Sequence, residues 1–291
     1  MDPITFSIIT PSYNQGKFLE DAIKSVLIQK GNFYIDYIIM DGGSTDNSVE
    51  IIKKYEGLIL NRKLAINCKG IKYRWRSEKD EGQADALEKG FALTSGDIGA
   101  WLNSDDVYYN DEVFANVSRY FISEDIDLLI GNGTLTDKEG NFIGDYRTEK
   151  IDIKELIFLD YHILQPSAFL RLEYFKKNNF DKYLNYTFDV EFFIRLLKKG
   201  IKYKKIKEYL SCFRIYPEIK TMSGLEKRYR ESLLIANKFS NDKTFLFISR
   251  IFKYFSEVIE IKYQRYFLVR LLTQLIRNIA YRLVIGTWGR K

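Results

Sequence analysis

Hydrophobic residues in the first half of the chain form short runs that alternate with stretches of helical spacing. Mostly apolar runs, which are typical of buried strands, occur at residues 6–10, 34–40 and 98–102, and residues 71–75 (IKYRW) also indicate a strand. Between these runs, apolar side chains recur every three or four residues, which predicts helices after residue 16, from Asp46 onward and over residues 83–93. Strands and helices that alternate in this way predict βαβ units and a mostly parallel sheet.

The second half of the chain is less regular. Strand-like runs occupy residues 127–130, 167–171 and 209–216. Residues 188–197 have strong helical spacing, and from about residue 224 onward the pattern is nearly all helical. We therefore expect an α/β domain over residues 1–235 and a basic, amphipathic helical tail over residues 236–291.

Acidic side chains follow three of the predicted strands. These are Asp41, Asp80 and Asp105, and the last is followed at once by Asp106. Right-handed crossovers bring the loops after parallel strands to one edge of the sheet, so we expect the three positions to gather there. Open α/β sheets bind ligands at this edge. Two adjacent carboxylates would suit Mg²⁺ or Mn²⁺ carrying a diphosphate.

The composition narrows the class of protein. Two cysteines and one histidine are too few for a disulfide framework or a histidine-rich zinc site, and they fit a reducing, cytoplasmic setting. A Ser-His-Asp hydrolase would need His162 as its base, but residues 161–164 look like a loop that leads into a strand. We expect no secretory leader at residues 1–3 and no spanning helix, because no uncharged apolar stretch approaches the ~18–20 residues required.

The net charge of +6 is concentrated at the end of the sequence. Residues 241–291 carry ten basic and three acidic side chains, a net charge of +7, which leaves −1 for the remainder and gives no support for nucleic-acid binding. Apolar residues recur at helical spacing through residues 245–283, interrupted by Arg270, Arg277 and Arg282. This pattern predicts either packing on the main domain or on a homodimer partner, or peripheral attachment to the anionic inner face of the cell membrane.

Six segments of the chain, in their order and spacing, resemble the motifs of the family 2 glycosyltransferases. They are residues 7–14 (SIITPSYN), 38–46 (IIMDGGSTD), 77–91 (SEKDEGQADALEKGF), 101–106 (WLNSDD), 165–167 (QPS) and 189–195 (DVEFFIR). The resemblance extends over roughly residues 5–235. It implies a GT-A fold, a Rossmann-like and mostly parallel mixed sheet flanked by helices, here with a C-terminal helical extension.

The resemblance also implies an activity. Such enzymes move a sugar from a nucleotide-diphosphate donor to an acceptor hydroxyl, usually with inversion, and many require Mn²⁺ or Mg²⁺. We expect a UDP-sugar donor, with GDP- and dTDP-sugars as alternatives, and a saccharide or lipid-linked saccharide acceptor in surface polysaccharide or glycolipid assembly. Two other classes stay open. One is a sugar nucleotidyltransferase, although residues 11–14 lack its basic triphosphate loop, and the other is a degenerate GT-A protein that only binds a partner.

The resemblance assigns nucleotide binding to side chains that follow the predicted strands. They are Pro11, Tyr13, Asp41, Asp80, Asn103 and Ser104. Asp41 matches the acid that accepts a hydrogen bond from the base, although Asp-Gly-Gly-Ser also favours a plain turn. Tyr13 is expected to stack on the base, with a half-buried loop aromatic as the alternative. Asn103 stands where many relatives carry aspartate, and its amide can bond a ribose hydroxyl.

Three carboxylates receive the remaining roles in this resemblance. Asp105 matches a direct metal ligand, and Asp106 matches a second ligand or a support for the first, since a cation offsets charge on the leaving diphosphate. Asp189 matches the catalytic base that takes the acceptor's proton, with a helix N-terminal acid as the alternative. Glu191 lies roughly 200° around the same helix and is expected to pair with a nearby cation. Arg195 is expected to brace Asp189.

One position departs from the family pattern near the end of the domain. Residues 214–216 read RIY, where many relatives show Arg-x-His. Tyrosine donates a hydrogen bond but is a poor ligand for Mg²⁺ or Mn²⁺, so Tyr216 is not expected to hold the metal itself. Arg214 and Lys220 are expected to neutralise phosphate, with ordinary surface charge as the alternative.

Overall fold

The computed structural model describes residues 2–148, 151–159, 163–220 and 224–255, together with the single positions 275, 279, 282 and 283. His162 and most of the predicted tail therefore lie outside the described residues. The strands are β1 (Ile4–Ser12), β2 (Phe33–Asp41), β3 (Gly70–Ser77), β4 (Ile98–Trp101), β5 (Val107–Tyr108), β6 (Leu128–Thr136), β7 (Phe142–Tyr146), β8 (Ala168–Arg171) and β9 (Tyr203–Arg214). The helices are α1 (Gly16–Leu27), α2 (Ser48–Leu60), α3 (Gln83–Ala92), α4 (Val113–Ser123), α5 (Ile153–Leu159), α6 (Leu172–Lys177), α7 (Phe188–Lys198), α8 (Leu225–Phe239) and α9 (Lys243–Lys253), with a short 3-10 helix at Gln165–Ser167.

The strands form one mixed sheet in the order β3-β2-β1-β4-β8-β6-β9-β5, and β7 also pairs with β6. β1 is parallel to β2 and β4, and β2 is parallel to β3, which is the parallel block that the alternating pattern predicts. Among the described residues, every antiparallel pair involves β5, β7 or β8. The predicted mixed α/β sheet flanked by helices is therefore confirmed, and its second half is more antiparallel than expected.

Apolar side chains of the parallel strands and of α1 build the main core. β1 is buried from Phe6 to Ser12, as expected for a parallel strand that is covered on both faces. The inward face of α1 consists of Leu19, Ala22, Ile23, Val26 and Leu27. Phe6 stacks on Phe114 with ring centroids 4.6 Å apart and meets Phe33 edge-on at 5.3 Å. Each ring that is removed from water in this way contributes about 2–3 kcal/mol to folding.

Gly90 allows α3 to approach the sheet closely. A Cβ atom at this position would lie 2.7 Å from Cγ2 of Ile9 in β1 and 3.2 Å from Cγ of Met40 in β2. The first distance is far shorter than a van der Waals contact, so a larger residue would push the helix away. The glycine therefore sets how near α3 lies to β1 and β2, and with it the position of the segment that leads into the helix.

The predicted elements of the first half match the observed ones within a few residues, whereas the second half differs more. β9 begins at Tyr203, six residues before the predicted start, because three lysines over residues 203–208 obscure the apolar alternation. β6 continues to Thr136 through polar residues, well beyond the predicted end at residue 130. β5 and β7 are unpredicted, since β5 has two residues and β7 is largely exposed.

The chain divides into two compact units. The first contains residues 1–150, 163–182 and 199–216 and holds the whole sheet. The second contains residues 151–162, 183–198 and 217–291 and holds α5, α7, α8 and α9, with Phe158 stacked on Phe252 at 4.4 Å. The predicted boundary between residues 235 and 236 stays a prediction. In the described part of the chain, no helix is long and apolar enough to cross a membrane.

Candidate functional site

The carboxyl ends of β1, β2 and β3 lie side by side in the first unit, and the carboxylate of Asp41 organises them. The strand register places Asp41 opposite Ser12 on one side and Ser77 on the other. The Asp41 carboxylate accepts hydrogen bonds from Ser77 Oγ at 2.6 Å, from Ser44 Oγ at 2.5 Å and from the Ser44 and Gly43 N–H groups at 3.0 and 3.2 Å. The turn role of Asp41 is therefore confirmed, and its role in binding a base stays a prediction.

Asp80 lies against the turn that Asp41 organises. A Cβ atom on Gly42 would come within 2.8 Å of Asp80 Oδ2, so only glycine leaves room for this carboxylate. Asp80 Oδ1 accepts a hydrogen bond from the Gly82 N–H at 2.9 Å. Burial raises the pKa of Asp80, and the charges of Asp85 and Asp41 add to that effect. The predicted gathering at one edge is thus confirmed for Asp41 and Asp80. The third predicted position, Asp105, follows β4, which runs parallel to β1 and so ends toward the same edge.

Asp85 has a structural role beside this edge. Its carboxylate pairs with Lys182 and with Lys89, each at 2.8 Å. Although burial acts to raise the pKa of Asp85, the hydrogen bonds from Lys182 and Lys89 lower it to about 2. Lys89 therefore forms an ion pair within α3, with the Asp85 carboxylate four residues before it.

Pro11 lies near the carboxyl end of β1, and Tyr13 lies in the loop that follows the strand. Pro11 is the penultimate residue of β1, beyond the point where β4 ends opposite Ile9, so its missing N–H removes no bond to β4. Asn14 ties this loop to the next one, because it donates its N–H to Ser44 Oγ and accepts from the Thr45 N–H, both at 2.8 Å. Between these anchors the Tyr13 side chain is 61% exposed, which leaves its ring available for stacking.

The two adjacent carboxylates after β4 are held from the far end of β9. β5 pairs antiparallel with β9, with Val107 opposite Cys212, so the residues before β5 face those that follow Cys212. Tyr216 donates its hydroxyl hydrogen to Asp105 Oδ2 at 2.8 Å, and the Arg214 N–H donates to Asp106 Oδ1 at 3.1 Å. The pairing of β5 with β9 therefore brings Asp105 and Asp106 to donors that lie more than a hundred residues later in the sequence.

Asp105 and Asp106 differ in exposure and in the bonds they make. Asp106 is 1% exposed, and its second oxygen accepts a hydrogen bond from Asn103 Nδ2 at 3.3 Å. Burial raises the pKa of Asp106 well above its usual range, and the charge of Asp105 adds to this. Asp105 is only half-buried; burial raises its pKa too, while the Tyr216 hydrogen bond acts to lower it. Of the two roles expected for Asp106, support of Asp105 fits this geometry better than direct coordination.

A chain of side-chain amides joins three of the family-like segments. Gln83 Nε2 donates to Asn103 Oδ1 at 2.7 Å, and Asn103 Nδ2 donates to Gln165 Oε1 at 3.3 Å. Gln165 Nε2 in turn donates to the carbonyl oxygen of Trp101 at 2.7 Å. Both hydrogens of the Asn103 amide are in use, so a ribose hydroxyl would have to donate to Oδ1. Ser104, the neighbour of Asn103, is 5% exposed.

Arg214 brings a buried positive charge close to the acidic pair. Its guanidinium lies over the ring of Phe18 at 4.6 Å and reaches Asp21 with Nη2 at 3.3 Å. Its Nε is buried and makes no hydrogen bond with any described residue. The ring of Tyr216 also packs on Phe18, with centroids 5.0 Å apart. Burial, followed by the Asp105 charge, raises the pKa of Tyr216, so the phenol stays a hydrogen-bond donor at neutral pH.

Asp189 lies in the first turn of α7, in the second unit. Its Oδ1 accepts a hydrogen bond from the Val190 N–H at 2.9 Å. Burial raises the pKa of Asp189, and the positive charges of Arg228 and Lys220 partly oppose that rise. A carboxylate with a raised pKa is a stronger base, which is the property expected of a proton acceptor. Its catalytic role stays a prediction.

Glu191 and Arg195 form a separate pair on the same helix. Glu191 is fully buried and pairs with Arg195 and with Lys238, each at 3.0 Å, so its predicted role as partner of a cation is confirmed. Arg195 engages Glu191 through two nitrogens, and its expected bracing of Asp189 stays a prediction. Glu191 lies four residues before Arg195, on the same face of the helix, whereas Asp189 lies six residues before it, roughly 120° away.

Lys220, which was expected to neutralise phosphate, lies over aromatic rings of the second unit. Its ammonium nitrogen is 5.6 Å from the ring centroid of Tyr186 and 5.9 Å from that of Phe188. A cation placed over an aromatic face is stabilised there by the ring's quadrupole. The phosphate role of Lys220 stays a prediction.

Comparison with known proteins decides the family. The sequence model of glycosyl transferase family 2 matches residues 7–203, more than half of the chain. The chain belongs to glycosyl transferase family 2. The resemblance drawn from the six segments is thereby confirmed, and the protein is a glycosyltransferase.

Relatives and solved structures agree with this family. The chain is 25% identical over 232 residues to an uncharacterised glycosyltransferase of Methanocaldococcus jannaschii, covering 78% of this chain and 77% of the relative. It is 32% identical over 136 residues to an uncharacterised glycosyltransferase of Mycobacterium tuberculosis, covering 47% of this chain and 44% of that relative. The chain thus spans less than half the length of the mycobacterial protein.

Two solved structures share the fold. TarS 1–349 of S. aureus in complex with UDP-GlcNAc has a TM-score of 0.66 at 16% identity, covering 97% of this chain and 82% of TarS 1–349. The mannosyltransferase PcManGT of Pyrobaculum calidifontis, in complex with GDP-Man and Mn²⁺, has a TM-score of 0.61 at 11% identity, covering 100% of this chain and 89% of the mannosyltransferase. At this level of identity the likeness concerns the fold, and it confirms the predicted GT-A architecture.

Sequence reasoning missed several residues of the family 2 site. Gln83 and Gln165 lie within the recognised segments, yet nothing in their spacing reveals that they meet through Asn103. Tyr216 was noted as a replacement, but its bond to Asp105 depends on the pairing of β5 with β9. Only prediction of that pairing would have revealed the contact.

Proposed function

We propose that this glycosyltransferase moves a sugar from a nucleotide-diphosphate donor to an acceptor hydroxyl with inversion at the anomeric carbon. The observation that carries the proposal is the hydrogen-bonded network after β4. It joins Gln83, Asn103 and Gln165 and fixes Asp105 and Asp106 at the carboxyl edge of the sheet. Such an edge is where α/β proteins bind nucleotides, and the network holds its acidic groups in fixed positions.

The proposed donor is a UDP-sugar. An imide N–H of uracil can donate to a carboxylate oxygen. Within the described ranges Asp41 Oδ1 accepts one hydrogen bond, from Ser44 Oγ, and a carboxylate oxygen can accept another. Tyr13, at 61% exposure, supports base stacking at the same edge. Two structures that share the fold contain UDP-GlcNAc and GDP-Man respectively, so a GDP-sugar is the main alternative.

The proposed cofactor is Mn²⁺ or Mg²⁺, and the residues present fit such an ion. One oxygen of Asp105 is held by Tyr216, and the carboxylate is half-buried, so its Oδ1 is the donor left for coordination. No group of three or more acidic, cysteine or histidine side chains is arranged as a metal site in the described ranges. This fits ions that are held by one or two carboxylates together with substrate phosphates. When bound, the ion would offset the charge that develops on the leaving diphosphate.

Asp189 is the proposed catalytic base. Its carboxylate would remove the proton from the acceptor hydroxyl as that oxygen attacks the anomeric carbon and the bond to the diphosphate oxygen breaks. The products are the glycoside, the nucleoside diphosphate and a protonated Asp189. The raised pKa of Asp189, caused by burial, supports this role because it strengthens the carboxylate as a base. Arg214, whose buried Nε makes no hydrogen bond with the described part of the chain, is the proposed partner of the diphosphate.

The proposed setting is the inner face of the cell membrane, in surface polysaccharide or glycolipid assembly, with a saccharide or lipid-linked acceptor. Phe247, Ile251 and Tyr254 of the segment that contains α9 are 65%, 40% and 45% exposed, and their spacing places them on one helical face. Lys243 and Arg250 belong to the same helix, and the region 236–291 carries the chain's excess positive charge. This supports peripheral attachment of that tail domain, and binding to a second copy of the chain is the alternative.

Calorimetry and one variant test the proposal. UDP, GDP and dTDP should each be titrated with and without Mn²⁺, and we expect UDP to bind tightest and only weakly without the ion. Asp189→Asn should abolish transfer and leave UDP binding within twofold, whereas the exposed control Asp125→Asn should retain both. No nucleotide binding at all would favour a degenerate binding protein. Full activity of Asp189→Asn would remove Asp189 from the mechanism.

A further inference from the structure

Glu231 of α8 binds the segment that leads into α7. Its Oε1 accepts a hydrogen bond from the Asn185 N–H at 2.8 Å. Its Oε2 accepts from the Tyr186 N–H at 2.7 Å, and from both the N–H and the hydroxyl of Thr187 at 3.1 Å. The side chain is 8% exposed, so these four donors replace most of the water that the carboxylate would otherwise bind. One carboxylate thus fixes three consecutive residues from a position more than forty residues away.

The segment fixed by Glu231 is the start of the helix that carries Asp189. The Glu191 N–H donates to the Thr187 carbonyl oxygen at 3.0 Å, which identifies Thr187 as the N-cap residue directly before α7. Asp189 follows two positions later, in the first turn. A negative charge is favourable at a helix N-terminus, where unpaired N–H groups point outward. Here that charge comes from another helix, so the first turn of α7 is anchored to α8.

Two further contacts hold α8 against α7 and its leading segment. A Cβ atom on Gly224, the residue before α8, would come within 2.1 Å of the Tyr186 ring, so the ring packs directly on the glycine backbone. Lys238, near the end of α8, pairs with Glu191 at 3.0 Å. The entry to α7 and its first turn are therefore both tied to α8 or to the residue before it. Rotation or sliding of α7 would break these contacts.

We propose that Glu231 is a positioning residue for the catalytic base, setting the location and direction of the Asp189 side chain through the first turn of α7. This inference rests on the proposed function, in which Asp189 accepts the proton of the acceptor. A misplacement of about 1 Å at a reacting group can lower a rate by about 10²-fold. Four hydrogen bonds to one buried carboxylate restrain the start of α7 against such a displacement.

The variant Glu231→Gln tests the proposal with little change in shape. The amide keeps one acceptor oxygen but turns an N–H₂ group toward backbone donors, so part of the anchor is lost. We expect kcat for release of UDP from UDP-GlcNAc, or of GDP from GDP-mannose, with Mn²⁺ and water as acceptor, to fall about 10- to 100-fold. The Kd of UDP should stay within twofold. Glu226→Gln, an exposed change in the first turn of the same helix, should alter neither quantity.

Amide hydrogen exchange provides a readout of the anchor itself. The N–H groups of residues 185–187 should exchange faster in Glu231→Gln than in the wild type, while the amides of β1 and β2 should be unchanged. Thr187→Val removes one of the four bonds and keeps the shape, so it should lower kcat less than Glu231→Gln does. If Glu231→Gln fails to fold, Thr187→Val carries the test, and unchanged kcat in that variant overturns the proposal.

The outcomes separate this inference from the function on which it rests. Unchanged kcat in Glu231→Gln together with an inactive Asp189→Asn would overturn the positioning role alone. A parallel loss of UDP binding and kcat in Glu231→Gln would assign Glu231 a general structural role and would also overturn the proposal. Full activity of Asp189→Asn would refute the assignment of the base, whatever Glu231→Gln does.

Discussion

Replacement of Tyr216 by phenylalanine tests how the acidic pair is held. The change removes a single hydroxyl group, which donates to Asp105 Oδ2 at 2.8 Å, and leaves the ring packed on Phe18. A hydrogen bond to a charged group contributes about 1.5–3 kcal/mol to stability. Because Asp105 is half-buried and water can replace the donor in part, we expect the lower value, about 1.5 kcal/mol. For a domain of this size, that loss lowers Tm by about 3–6 °C.

The pH dependence of this effect has a defined sign. Burial raises the pKa of Asp105 above its usual 3.8 and the Tyr216 hydroxyl restrains that rise, so the Phe variant should have a still higher Asp105 pKa. A carboxyl group whose pKa is higher in the folded state than in the unfolded state lowers the free energy of unfolding at pH values where it is ionised. At pH values where Asp105 is protonated in both states, this loss of stability is absent. The stability difference between Tyr216→Phe and the wild type should therefore be greatest at neutral pH. It should shrink as the pH falls through the folded pKa of Asp105 toward 3.8.

Thermal unfolding between pH 4 and pH 8, followed by circular dichroism, measures this difference. Tyr34→Phe is the control, because the Tyr34 side chain is 44% exposed and its variant should unfold with the wild type at every pH. Titration of UDP with Mn²⁺ gives a second readout, and we expect weaker binding once the Asp105 carboxylate is free to rotate. A Tyr216→Phe protein with wild-type Tm across the whole pH range would refute the reasoning.

Three further predictions concern other parts of the molecule. Gly90→Ala should lose about 1–3 kcal/mol from overpacking, seen as a lower Tm, whereas Gly57→Ala, with open space in the helix α2, should gain up to about 1 kcal/mol; equal stability of the two would contradict the packing argument. Asp41→Asn should weaken UDP binding at least about tenfold by calorimetry, because the amide cannot accept all the bonds that the carboxylate accepts, and a Kd within twofold would count against Asp41. Burial raises the pKa of Cys68 and of Cys212, so at pH 7.5 iodoacetamide should modify both more slowly than it modifies a free cysteine peptide. Both cysteines should react faster at pH 9 than they do at pH 7.5. Rates at pH 7.5 equal to that of the peptide would be inconsistent with burial of the thiols.

The parallel half of the sheet could be predicted because its signals are local. In β1 and β2 nearly every residue is buried, so the strands appear as continuous apolar runs, and α1 between them shows regular helical spacing. The strand ends then follow from topology alone, which is why the meeting of Asp41 and Asp80 was predictable. The spacing of apolar residues predicts where these side chains lie, whereas their expected roles came only from the resemblance to the family motifs.

The contacts that complete the site could not be predicted, because they join distant parts of the chain. Tyr216 reaches Asp105 only because a two-residue strand, β5, pairs with β9, and two residues carry no periodic signal. The start of β9 was also missed, because Lys204, Lys205 and Lys207 interrupt the apolar residues there and hide the strand signal. The role of Glu231 is equally hidden, because a glutamate within an amphipathic helix has the same sequence signature whether it meets water or the backbone of another segment.

The bonds from β9 to the acidic pair have a consequence for the order in which the molecule matures. Asp106 and Asp105 receive their donors from residues 108 and 111 positions later. During synthesis, the βαβ half of the sheet can leave the ribosome and pair before either donor has been translated. A nascent fragment that ends before Arg214 would therefore carry two neighbouring carboxylates without their late donors. Only a chain translated past Tyr216 can therefore complete the hydrogen bonds of the acidic pair.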